Sequence, residues 1–302
     1  MSMNLTLDHG VVWAFEASGA AEGWLAGFAR AMGLAPAGGR ADRHIHFEVM
    51  PRRLEEFCGP HLLRCARGLH PREWKIREFH DLVFFEHPAL SHIICEIACV
   101  ADGPRQAHQM RRALLLVYID ALLSGGLPVH GALVEIDGAG VILAGHSGAG
   151  KSTASRRLSS PWRVLGDDLC LVVRDASGSY RAHPLPTWSA FSENGGPGVC
   201  RAGSSVPLRA VFFLEQSPGD ECLEMKKSTA AVFMAASAVE VFRSIDFGFP
   251  NREEPAVKKA LYASASSMAL KMPAFLLRLS LTGRFWERIE RALEAAPIAR
   301  CA

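Results

Sequence analysis

Residues 145–153 read GHSGAGKST, and Gly145 to Ser152 satisfy the pattern G-x-x-x-x-G-K-[ST] at every fixed position. That spacing suits a phosphate cradle. Glycines let successive backbone N–H groups converge on phosphate oxygens, and the start of the following helix adds partial positive charge. Gly145, His146, Ser147, Gly148, Ala149, Gly150, Lys151, Ser152 and Thr153 are therefore the expected nucleotide-binding residues. Lys151 should reach the β- and γ-phosphates of ATP, and the Ser152 hydroxyl should help hold Mg²⁺. Mg²⁺ also favours carboxylate oxygen, and VLGDDLCLV supplies Asp167 and Asp168 soon after the loop. One acid would suffice for the metal. An adjacent pair allows one to hold the metal while the other accepts a proton from an attacking hydroxyl. His130, in PVHGALVEI, lies just ahead of the segment that leads into the loop and is a candidate for a role near the γ-phosphate. The plain alternatives are a solvated turn for the aspartates and a structural role for the histidine.

Such a loop needs a strand before it and a helix after it. VILAG and KSTASRRL fit those places, and GALVEI-DGAG-VILAG reads as a hairpin turning at Asp137–Gly138. WRVLGDDLCLVV reads as a buried strand interrupted by the two aspartates. RAVFFLEQ and PAFLLRLSL read as strands, STAAVFMAASAVEVF and RFWERIERALEAA as helices. This alternation predicts an α/β core with a mixed sheet. In the first third, AEGWLAGFARAMGL has helical spacing, and HIHFEVM, EWKIREF, DLVFFE and HIICEIA predict an antiparallel sheet. GPRQAHQMRRALLLVYIDALLSGG predicts one long helix from Pro104 to Gly125–Gly126. The expected division is an N-terminal α+β region, 1–125, and a loop-bearing domain, 126–302.

Composition narrows the function classes. The 302 residues are 49% hydrophobic and 21% charged, as in ordinary globular proteins, with 33 Lys plus Arg against 31 Asp plus Glu. A net charge of +2 argues against a nucleic-acid or membrane-surface partner. The eight cysteines include no CxxC pair and read as reduced thiols. MSMNLTLDHG lacks the marks of a secretory signal, and ALLLVYIDALL is too short to span a bilayer and contains Asp120. These features predict a cytoplasmic protein.

The run VHGALVEIDGAGVILAGHSGAGKSTASRRL…WRVLGDDLCLV, from His130 to Val173, resembles the catalytic domain of HPr kinase/phosphorylase. That family has a histidine-glycine, a hairpin, the glycine-rich loop and paired aspartates in the same order. HPLPTW, RAVFFLEQ and PAFLLRLSLTGRFWERIERAL look like the small HPr-kinase-related proteins of peptide-modification cassettes, the ScmC type and the lasso-peptide precursor kinases. The resemblance implies a mixed-sheet fold related to phosphoenolpyruvate carboxykinase. It also implies an ATP- and Mg²⁺-dependent kinase acting on a serine of a small protein or precursor peptide. Asp167 would match the base, Asp168 a metal ligand beside Ser152, and His130 the histidine that supports that aspartate. Lys151 and the backbone of Gly148, Ala149 and Gly150 would hold the β-phosphate. HPr kinases assemble as hexamers, which implies a homo-oligomer.

Two departures stand out. His146 occupies a position usually held by aspartate, and the family's glycine-rich segment after the acids is missing; Glu193 is the candidate for a second metal-binding acid. These put the phosphorylase half-reaction, and HPr itself as substrate, in question. The first third matches no HPr kinase N-domain, and a sheet there could bind a peptide by strand addition. A nucleotide-dependent peptide-binding module without transfer and a small-molecule kinase acting on a serine-like metabolite remain alternatives.

Overall fold

In the computed structural model, which describes residues 1–50, 67–79, 81–101, 103–188, 200–247 and 255–295, the chain divides into two units. The first is Met1–Leu114 with Trp188–Gly203, and the second is Leu115–Thr187 with Ser204–Ala302.

In the first unit, β1 (Ser2–Thr6), β2 (Val12–Ala17), β3 (Ala35–Pro36), β4 (Arg43–Val49), β5 (Lys75–Glu78), β6 (Leu82–Glu86) and β7 (Ile93–Ile97) form one sheet. Their order is β3-β1-β2-β4-β7-β6-β5. The sheet is mixed, not antiparallel as expected: β2 pairs with β4 and β4 with β7 in parallel. The physical reason is α1 (Ala21–Met32), which lies in sequence between β2 and β4 and makes the crossover that parallel neighbours require. An antiparallel expectation built on the strand-like runs after residue 43 leaves out VWAFEA ahead of that helix.

The buried face of α1 carries Trp24 and Phe28, one turn apart, with ring centroids 5.6 Å from each other. Trp24 sits 4.9 Å from Phe47 on β4, and Phe28 meets Phe15 on β2 edge-on at 5.2 Å. Truncating either helix aromatic to alanine should cost roughly 3–5 kcal/mol. The expected long helix is two helices, α2 (Gly103–Ala113) and α3 (Leu115–Leu123). At Leu114 the N–H bonds the carbonyl of Arg111, three residues back, which interrupts the α-helical ladder.

The second unit contains the long β8 (Leu127–Ile136), β9 (Ala139–Ala144), β10 (Arg163–Gly166), β11 (Leu169–Arg174), β12 (Tyr180–Pro184), β13 (Val206–Gln216), β14 (Glu221–Glu224) and β15 (Ala274–Leu279). They form one mixed sheet in the order β10-β8-β11-β12-β13-β15-β14, with β9 pairing both β8 and β13. The β8–β9 hairpin turns at Asp137 and Gly138 with positive φ at both, as a tight two-residue turn requires. Three strands, β9, β13 and β15, run parallel and so end on the same side of the sheet.

Helices cover both faces of this sheet, which is why RAVFFLEQ is continuously apolar rather than alternating. One face packs Val141, Leu143, Phe212, Leu214, Phe275 and Leu277 against α4 (Lys151–Arg157) and α7 (Phe285–Ala295). The other receives α3, α5 (Lys227–Arg243) and α6 (Pro255–Lys271), with Phe233 edge-on to Phe213 and Tyr118 edge-on to Phe242. Cys95, Cys170 and Cys200 are buried thiols, whereas Cys99 is an exposed one. Among the described residues, no helix is long and apolar enough to cross a membrane.

Candidate functional site

The glycine loop leaves the sheet at the end of β9 and enters α4, so the strand-loop-helix context expected from the pattern is present. Gly148 and Gly150 have φ of +83° and +99°, a conformation that side-chain-bearing residues rarely adopt. The loop is anchored from three directions. Ala149 and Ala154 are part of the core cluster under the sheet. The Gln216 side-chain amide, at the end of β13, donates to the Gly148 carbonyl at 2.7 Å. Arg157, in the last turn of α4, donates to the Ser280 carbonyl at 2.6 Å and stacks over the Phe285 ring.

Lys151 folds back over the loop: its Nζ donates to the carbonyls of Gly145 at 2.8 Å and His146 at 3.1 Å. Burial pulls its pKa below the ordinary lysine value, while the charges of Glu240 and Asp168 push it back up. The cation therefore lies within electrostatic reach of two carboxylates. Ser152, the next residue, is half-buried in the first turn of α4, and the ring of exposed His146 contacts the Ser147 carbonyl at 2.7 Å.

Asp167 and Asp168 fall between β10 and β11, which pair in succession along the same strand, β8. The apolar run thus breaks at the acids: Gly166 is opposite Leu133 and Leu169 opposite His130. Each acid has its own partner. Asp167 accepts a hydrogen bond from the Thr187 hydroxyl. Asp168 Oδ1 lies 3.4 Å from His130 Nε2.

His130 stands where β8 passes beyond the end of β9. Gly131 still pairs with Ala144, but the chain then departs into the loop, so the main-chain groups of His130 need another partner there. Ser237 of α5 provides it: its Oγ accepts from the His130 N–H at 2.9 Å and donates to the His130 carbonyl at 3.4 Å. Glu240, one turn further along α5, brings Oε2 to 2.9 Å from His130 Nδ1, an ion-pair contact whose angle falls outside hydrogen-bond geometry. Burial works against the charged imidazole, but Asp168 and Glu240 outweigh it and raise the His130 pKa above its ordinary value.

Of the residues expected from the sequence, the structure brings His130 against Asp168, and Asp168 into the electrostatic field of Lys151. Glu193 lies outside the described residues. Three members of the site were not expected: Glu240, Thr187 and Gln216. Thr187 and Gln216 lie in segments that carry the resemblance, HPLPTW and RAVFFLEQ, whereas Glu240 lies in neither. As chemistry, the cluster offers a cation held on a glycine loop, a hydroxyl and a carboxylate suited to a hard cation, and a second carboxylate free of the histidine contact.

The family described as SynChlorMet cassette protein ScmC matches residues 93–294. A putative HPr kinase/phosphorylase of Fusobacterium nucleatum is 27% identical over 174 residues. That stretch makes up 57% of this chain and 26% of the relative, so the chain spans well under two thirds of that protein.

Proposed function

Because the chain belongs to the ScmC family of SynChlorMet cassette proteins, we propose that it is an ATP-dependent phosphotransferase that moves the γ-phosphoryl group to a serine hydroxyl of a small protein or ribosomally made peptide. The observation that carries this reading is the contact of His130 with both Asp168 and Glu240, two carboxylates whose charges act on Lys151 of the glycine loop. A cradle that only held a nucleotide would need the loop. It would not need a second aspartate, held separately by Thr187.

In the proposed reaction the serine Oγ forms a bond to the γ-phosphorus, and the bond from that phosphorus to the β–γ bridging oxygen breaks, releasing ADP. Asp167 accepts the serine proton. Lys151 and the loop N–H groups stabilise the phosphate oxygens, so most of the acceleration comes from positioning and charge. The donor set fits Mg²⁺: a hydroxyl from Ser152 and a carboxylate from Asp168, beside substrate phosphates, are the oxygen ligands this ion commonly uses. When bound, Mg²⁺ would supply charge neutralisation at the phosphates. Glu193 is the proposed donor for a second ion.

The test is to incubate the purified protein with Mg-ATP and the short peptides encoded beside its gene, and to follow peptide mass. One added phosphate on serine is expected. Nucleotide binding with no phosphate on any peptide would overturn peptide transfer; phosphate on free serine instead would make the protein a metabolite kinase.

A further inference from the structure

We infer that Glu240 is a positioning residue for the transfer, fixing the imidazole of His130 so that its Nε2 faces Asp168. This rests on the kinase reading above. The inference comes from how many ways the ring can turn. Ser237 secures the backbone of His130 through both its N–H and its carbonyl, but that leaves the side-chain torsions free. A single contact from Asp168 at 3.4 Å would hold one ring nitrogen and leave the other side of the ring unconstrained. Glu240 at 2.9 Å from Nδ1 supplies the opposing contact, and only one ring orientation meets both carboxylates.

The helix makes this arrangement specific. Ser237 and Glu240 are three residues apart on α5 and therefore project from the same side. One holds the main chain of His130 and the next holds its ring. The neighbouring residues in this part of α5, Ala238, Val239, Val241 and Phe242, are apolar, so Glu240 is the acid placed against a mostly buried histidine. Its carboxylate also bears on Lys151, which links the histidine contact to the glycine loop.

A double-mutant cycle tests the inference. Glu240→Ala should lower kcat for phosphoryl transfer about 10–100-fold, the usual effect of removing a residue that orients a group at the site. Glu240→Gln, close in shape but without the charge, should fall between wild type and Glu240→Ala. In a His130→Ala background, Glu240→Ala should add no further loss, because the group it positions is gone. Losses that multiply, or wild-type kcat in Glu240→Ala, would overturn it. Crystal structures of wild type and Glu240→Ala give an activity-independent arm, in which the ring should turn away from Asp168 in the variant. A ring that stays in place overturns the positioning role even if the wild type transfers phosphate to nothing. A ring that turns in a protein with no transfer upholds the positioning and discards the kinase reading.

Discussion

Two histidines, one in each unit, sit between two carboxylates with nearly equal exposure, and their pKa values move in opposite directions. His46 lies on β4 with its side chain 17% exposed, and Glu16 and Glu48 approach it only to 4.0 and 3.8 Å. Burial dominates there, His92 adds to it, and the pKa is lowered. His130 is 16% exposed, but Asp168 and Glu240 come to 3.4 and 2.9 Å, and the pKa is raised. At similar exposure, closer carboxylates reverse the sign. Perturbed histidines with close carboxylates concentrate at functional sites, and the closer cluster is the one beside the glycine loop.

The comparison breaks most sharply on activity. His130→Ala should lower phosphoryl transfer by about 10²–10³-fold, the cost of losing one electrostatic group at a reacting centre. His46→Ala should leave transfer at the wild-type rate, as measured by phosphopeptide formation. A large loss in His46→Ala would mean that the first cluster, too, serves the reaction.

The next effect concerns the serines beside each ring. Ser237→Ala leaves the His130 N–H without its partner and should destabilise the fold by about 1–3 kcal/mol in urea unfolding. Ser18 touches His46 Nε2 at 3.2 Å in an exposed place, and Ser18→Ala should change stability by no more than about 0.5 kcal/mol.

The smallest effect is the dependence of stability on pH, and it should have opposite signs. The raised His130 pKa means the folded state holds the proton more tightly. Its contribution is complete below the unfolded value of 6.5 and is lost as pH rises through the folded value. His46 binds its proton less readily when folded. Its contribution is complete above 6.5 and is lost as pH falls through its lowered value. Unfolding of His130→Gln and His46→Gln over about pH 5–8, without nucleotide or divalent cation, should remove these two slopes separately.

Much of the loop side of the site was legible because it is local. A contiguous pattern dictates the cradle, an Asp-Gly pair dictates the turn before it, and two acids inside an apolar run announce a broken strand. Glu240 and Gln216 were not legible. They meet His130 and Gly148 across long separations, through an α5 packing and a parallel β9–β13 pairing that no local pattern specifies. The crossover in the first unit was missed for a related reason, since its parallel pairing joins strands on either side of α1. Helix α6 has apolar residues at helical spacing, Val257, Leu261, Ala265 and Met268, but its many alanines and serines weaken the contrast between its faces.

The central claim is that the adjacent aspartates do different work, and the most direct measurement compares Asp167→Asn with Asp168→Asn for ATP affinity, with and without Mg²⁺, alongside the rate of phosphoryl transfer. Asp167→Asn should keep Mg²⁺-dependent ATP binding and lose transfer by roughly 10²–10⁴-fold, as expected for a missing base, whereas Asp168→Asn should lose the Mg²⁺ dependence of binding. Loss of ATP binding in Asp167→Asn, with Asp168→Asn still binding Mg-ATP normally, would contradict the division.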